Sequence, residues 1–333
     1  ESATVRFVLR KDSTAGCRPY DDALKENVRF WSDIQKKVKI LPDNPGKNTE
    51  DMFRQSITVM LQMLQRYKNP VDNDLIFARQ GDVGRFLWVW EAVHFLTLLD
   101  RVGLSSYVTD AYRTFFRLWQ KESGKEKGKL DNPYVPWDNT TGACLAGLSY
   151  HLTVQNAPAL FAEFHDRMTL AADYIQYRRS LAGENEYPGL FSAGQGSDWG
   201  EIGQHWTFTD AVNAYGLGIM AKCYESFGAT DAASIRAVYT DYHKTLKDIL
   251  NRFAAEHHGE HAYILPHILG IPFEESYNHC FYTAGAPYLL LLDIMEPDSE
   301  IFGQMENFYR EIGFLADEPD DIRTKIMGMY TDP

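Results

Sequence analysis

The sequence predicts an all-α fold in which helical hairpins wind into a ring. Apolar residues recur at helical spacing over most of the chain, and strand-like alternation is confined to a short stretch near the start. Connections alternate between short ones and long, polar, glycine-bearing ones, which suits a ring of hairpins with one loop-rich face. No exact internal repeat is visible, which argues against a solenoid. The helices are too many and the loops too long for a four-helix bundle.

The elements follow in order. Residues Thr4 to Arg10 alternate and are rich in β-branched side chains, so they read as one strand. Residues 1–20 are expected to be this strand and a linker, and residues 21–333 the helical domain. Asp21 to Lys39 reads as a helix with Leu24, Val28, Trp31 and Ile34 on one face. After a Pro-rich break, Thr49 is expected to cap a second helix carrying Met52, Phe53, Ile57, Met60, Leu61 and Leu64. A loop over Asn69 to Arg85 leads into an apolar helix ending at Gly103. Further helices are expected from Ser105 or Ser106 to Trp119, from Trp137-Asp138-Asn139 onward, and over Pro158–Ser180, Thr207–Phe227, Asp231–Glu256, Pro287–Met295 and Glu300–Ile312. Lys121 to Lys129 is a charged loop. Small residues (Ala143, Ala146, Gly147, Gly216, Gly218, Ala221) mark helices that pack closely.

Composition narrows the function classes. The chain of 333 residues is 44% hydrophobic and 24% charged, as a globular protein is. A net charge of −13 disfavours nucleic acid and anionic membrane surfaces as partners. No apolar stretch is long enough to predict a membrane span. The chain starts at Glu1 without Met, as a trimmed product would. Its four cysteines are scattered singly; Cys144 and Cys223 read as buried thiols. Asn139-Thr140-Thr141 is a glycosylation sequon. His257, His258, His261 and His267 cluster, but their spacing matches no zinc motif, so neither a metal nor a cofactor is implied.

The most informative stretch is Arg79 to Arg101. Asp82 and Arg85 lie on a polar, glycine-bearing approach, and Trp88, Trp90 and Glu91 stand at the helix entry. Indoles stack on pyranose rings, and a carboxyl with apolar neighbours holds its proton for donation. Gly183 to His205, which carries Asp198 and Trp199 with Glu201 nearby, and His257 to Tyr282, which carries Glu275 and Tyr277, are long loops of the kind that bear function.

Three segments resemble six-hairpin glycosidases. FLWVWEAVHFLTLL (Phe86–Leu99) is similar to a helix entry of family 63 α-glucosidases, trehalases and glucoamylases, and QGDVGRFLWVWEA to a stretch of family 78 α-L-rhamnosidases. The run from Gly189 to Gly228, with its SDW and TDA motifs, resembles the same enzymes over the greatest length, and EESYNHCFYTAGAPYLLLLDI resembles the segment near the base-bearing helix. The resemblance implies an (α/α)6 barrel behind a β-sandwich, of which the first strand would be the tail. Roughly ten helices are legible against the twelve of a closed barrel, so the ring is expected to be incomplete in this chain, or its base to lie beyond Pro333. The resemblance further implies an inverting hydrolase acting on a terminal sugar, with Glu91 as general acid and Glu275 as base. Asp82, Arg85, Trp88, Trp90, Trp137, Asp198, Trp199 and Tyr277 would contact the carbohydrate. A polysaccharide lyase using Tyr277, Asn278 and His279, and a glycan-binding protein without turnover, are the alternatives.

Overall fold

The computed structural model describes residues 19–39, 46–67, 75–78, 88–131, 136–181, 187–196, 203–256, 268–270, 292–300, 302–303 and 307. These residues form an all-α fold. Eight helices are present among them: α1 (Tyr20–Lys37), α2 (Lys47–Met63), α3 (Val89–Arg101), α4 (Thr109–Trp119), α5 (Thr140–Gln155), α6 (Pro158–Leu181), α7 (Thr207–Ser226) and α8 (Ala232–Glu256). Two short antiparallel strand pairs accompany them. β1 (Leu64–Tyr67) pairs with β2 (Leu75–Ala78), and β3 (His205–Trp206) with β4 (Ile268–Leu269).

Three helices form the inner layer. α5 packs between α3 and α7, and all three run the same way. Their N-terminal ends meet through Trp88 and Trp137, with ring centroids 5.2 Å apart. At the opposite ends of α3 and α5, His151 Nδ1 lies 2.8 Å from an Asp100 carboxylate oxygen. α4, α6 and α8 flank this layer. α5 is apolar on nearly every side and is buried along almost its whole length, as a helix without a polar face must be. α4 carries a single apolar face and buries Ala111, Tyr112, Phe115 and Phe116.

The inner helices approach closely because glycine faces glycine. A methyl group built on Gly216 of α7 would overlap the backbone of Gly142 on α5. The gap also lets Asn213 Oδ1 accept the Gly142 N–H at 3.0 Å. That N–H is among the first in α5, where no carbonyl of the helix itself can receive it.

Several boundaries differ from the sequence reading. α2 starts at Lys47 with Gly46 before it, so Thr49 lies inside the first turn and is not the cap. The stretch between α2 and α3 holds the β1–β2 pair, with Ile76 and Ala78 buried and the Ile76 N–H donated to Thr114 Oγ1 at 3.0 Å. On the expected apolar face of α1 only Ile34 is buried, whereas Leu24 and Val28 are exposed among the described residues. Residues 292–295 form turns, not the end of a helix. The expected strand at 4–10 lies outside the described residues. Cys144 and Cys223 are buried free thiols. No helix of the described residues is long and apolar enough to cross a membrane.

The glycine contact generates a direct expectation. Gly216→Ala should destabilise the fold by about 1–3 kcal/mol through overpacking. Gly303→Ala, whose added Cβ meets nothing within 4 Å, should not destabilise the fold. Urea unfolding of the two variants measures the contrast, and equal stabilities would refute the close-packing account.

Candidate functional site

The site is built where α3, α5 and α7 begin. Trp88 precedes α3, Trp137 lies three residues before α5, and Phe208 sits in the first turn of α7. Trp88 stacks at a tilt on Trp137, while Trp90 meets Phe208 edge-on at 5.1 Å and His94 edge-on at 4.3 Å. His94 shows its side chain to solvent yet is crowded by protein, and the lost hydration lowers its pKa from the usual histidine value.

Glu91 lies in the first turn of α3, as expected, but its side chain is exposed. Among the described residues, Trp88 meets Trp137 and Trp90 meets Phe208. Trp137 is 7% exposed and belongs to the wall of the site. Asp82, Arg85, Asp198, Trp199, Glu275 and Tyr277 lie outside the described residues, as do Glu201, Asn278, His279 and the histidine cluster.

The carboxyl that is enclosed here is that of Asp138, which is 7% exposed. Residues 187–196 run across it. The Asp138 N–H donates to Gln195 O at 2.9 Å, and the Gln195 N–H donates to Asp138 Oδ2 at 2.9 Å. Arg178 Nη1 donates to Asp138 Oδ1 at 3.1 Å. Desolvation raises the Asp138 pKa above the usual aspartate value, although the positive charge of Arg178 and the Gln195 N–H pull the other way. Asn139 Nδ2 donates to Gly196 O at 3.3 Å from a side chain that is 1% exposed. Asn139, Thr140 and Thr141 are all buried, so the sequon is no glycosylation site in this fold.

A second carboxyl, Asp210, stands in the first turn of α7 and is 1% exposed. Its Oδ1 accepts the Phe191 N–H and the Tyr242 hydroxyl, both at 2.7 Å. Desolvation raises its pKa to about 7 against the opposing effect of these two hydrogen bonds and of Arg179. Asp138 and Asp210 line one narrow crevice with Phe191, Ser192, Gly194, Gln204, Trp206 and Thr209. Around it, Trp137 Nε1, Asn139 Oδ1, Thr140 Oγ1 and Thr209 Oγ1 are buried without a hydrogen-bond partner among the described residues.

The sequence reading missed Asp138 and Asp210. Asp138 follows directly on Trp137, which the sequence offered as a sugar contact. The enclosing residues, 187–196, come about fifty positions later in the chain. Among the described residues no group of three His, Cys, Asp or Glu side chains could hold a metal ion.

No protein-family model and no curated protein matches the chain. Solved structures of glycosidases share its fold. A wild-type glycosidase superposes with a TM-score of 0.52, and a glycosidase variant in complex with glucose with a TM-score of 0.51. Each is 12% identical to this chain and covers 79% of it and 69% of its own length.

The raised pKa of Asp210 has a measurable effect on stability. An ordinary aspartate titrates near pH 3.9, roughly three units below the folded-state value, so the folded chain binds the extra proton between about pH 4 and pH 7. The contribution of Asp210 therefore falls as pH rises through this window, by at most about 1.4 kcal/mol per pH unit. Asp210→Asn cannot titrate and should lose that slope. Urea midpoints of the two proteins at pH 5 and pH 7.5 should diverge, with wild type losing more; parallel changes would refute the assignment.

Proposed function

We propose that this chain is a glycoside hydrolase of the six-hairpin type that removes a terminal sugar by an inverting acid/base mechanism. The observation that carries the reading is the convergence of Trp88, Trp90, Trp137 and Phe208 with the desolvated carboxyl of Asp138 at the shared N-terminal end of α3, α5 and α7. Aromatic faces suit the apolar face of a pyranose. The unpartnered polar atoms of Trp137, Asn139, Thr140 and Thr209 suit groups rich in hydroxyls. The glycosidases of similar fold, one of them bound to glucose, support a sugar as substrate.

In this reading the general acid is Asp138, in place of Glu91. A carboxyl must hold its proton until the glycosidic oxygen takes it, and enclosure moves the Asp138 pKa in that direction. Once the proton has moved to the leaving oxygen, the Arg178 guanidinium and the Gln195 N–H stabilise the remaining carboxylate. Glu91, exposed at the rim, contacts the sugar. Glu275 is the proposed base: it takes a proton from the water that attacks the anomeric carbon from the opposite face. The two carboxyls of an inverting enzyme stand roughly 6.5–9.5 Å apart to admit that water. Asp82, Arg85, Asp198, Trp199 and Tyr277 remain proposed sugar contacts.

A panel of aryl glycosides and disaccharides, glucosides included, tests the reading with wild type, Asp138→Asn, Glu91→Gln and Glu275→Gln. Wild type should release one sugar, and Asp138→Asn and Glu275→Gln should each lose at least about 10²-fold in kcat. Glu91→Gln should lose less than about tenfold, as expected for a contact and not the acid. Sugar binding without release would make the chain a glycan-binding protein, and an unsaturated uronate product would make it a lyase.

A further inference from the structure

Two buried polar side chains on α7, Asp210 and Asn213, stand three residues apart and so share one helix face. Neither belongs to the proposed catalytic pair. Each holds backbone that leads to Asp138, Asp210 through Phe191 and Asn213 at Asp138 itself.

Asn213 Nδ2 donates to the carbonyl of Asp138 itself at 3.1 Å and to Thr209 O at 2.9 Å. Its Oδ1 accepts the Gly142 N–H, so one fully buried amide fixes both Asp138 and the first turn of the helix that follows it. Asp210 takes the Phe191 N–H, which anchors the start of the run that reaches Gln195 four residues later. Gln195 then closes two hydrogen bonds on Asp138. Arg178 ties the middle of this run, through Ser192 Oγ at 2.5 Å, to the same Asp138 carboxylate. Gly194 passes so close that any side chain there would strike Asp138 Oδ2.

We infer that Asp210 and Asn213 are positioning residues that together set the Asp138 carboxyl against the glycosidic oxygen. The inference rests on the proposed acid role of Asp138. It assigns to α7 the task of holding that acid between the N-terminus of α5 and residues 191–196. Asp210 acts here as a hydrogen-bond acceptor, so an uncharged acceptor of the same shape should serve.

Leaving-group chemistry tests this with a readout that loss of stability alone would not move. A dinitrophenyl glycoside departs without a proton, whereas an alkyl glycoside needs the acid. Asp210→Ala and Asn213→Ala should each lose about 10–100-fold in kcat on the alkyl glycoside and less than about threefold on the dinitrophenyl one, with KM little changed. Asp210→Asn should stay within about threefold of wild type on both substrates. Equal losses on the two substrates would overturn the inference if Asp138→Asn itself discriminates between them. If Asp138→Asn does not discriminate, it is the acid assignment that fails. If Asn213→Ala does not fold, the two Asp210 variants decide alone. Amide hydrogen exchange decides in the absence of turnover: protection of the Gln195 N–H should be lost in Asp210→Ala and kept in Asp210→Asn. Protection retained in both would overturn the inference.

Discussion

The contact between Gly142 on α5 and Gly216 on α7 is the constraint on which the rest depends. Two helices without side chains at their crossing come within backbone range, and Asn213 then reaches a neighbour's first turn. α5 has no side-chain cap of its own. Its early N–H group is satisfied from α7, so the start of α5, and with it Trp137 and Asp138, is fixed by a long-range hydrogen bond. Leaving a buried amide of this kind unsatisfied costs about 1–3 kcal/mol, enough to make the register of the two helices specific.

The two ends of the inner layer differ in their surroundings. At the C-terminal ends of α3 and α5, Asp100 and His151 are completely enclosed. His151 bonds Asp100 at 2.8 Å through Nδ1 and Thr109 Oγ1 at 2.9 Å through Nε2, so both ring nitrogens are occupied. Such a chain of hydrogen bonds ties three elements together. At the N-terminal ends Asp138, Thr209 and Asp210 line a crevice, and Trp137, Asn139, Thr140 and Thr209 each keep a buried polar atom without a partner among the described residues, as Asp100 does at the other end.

Local pattern made the helices legible. The glycines and alanines of α5 and α7 marked the close-packed pair, and the Trp-rich entry of α3 marked the mouth. What failed depended on distant chain. Glu91 read as enclosed because two tryptophans flank it in sequence; its side chain is exposed, and among the described residues those rings meet Trp137 and Phe208. Asp138 and the sequon residues looked like an ordinary helix opening, yet residues 187–196 cover them. The strands β1 and β2 have four residues each, too short for alternation to register, and Thr114 on α4 supplies a partner that no local reading contains. The expected roles of Asp82, Arg85, Asp198, Trp199, Glu275 and Tyr277 rest on resemblance alone.

Asp210 makes sense only in terms of what it orders. A carboxyl at 1% exposure, with a pKa raised to about 7, is a poor source of stability, and an apolar side chain of similar size would cost less to bury. What an apolar side chain could not do is accept the Phe191 N–H and the Tyr242 hydroxyl on one oxygen, and so join α7, α8 and the chain that crosses Asp138. Directional bonds specify one arrangement where apolar packing would allow several. At the start of α7 the fold thus gives up stability for a fixed position, and the group whose position is fixed is the Asp138 carboxyl, enclosed beside Trp137.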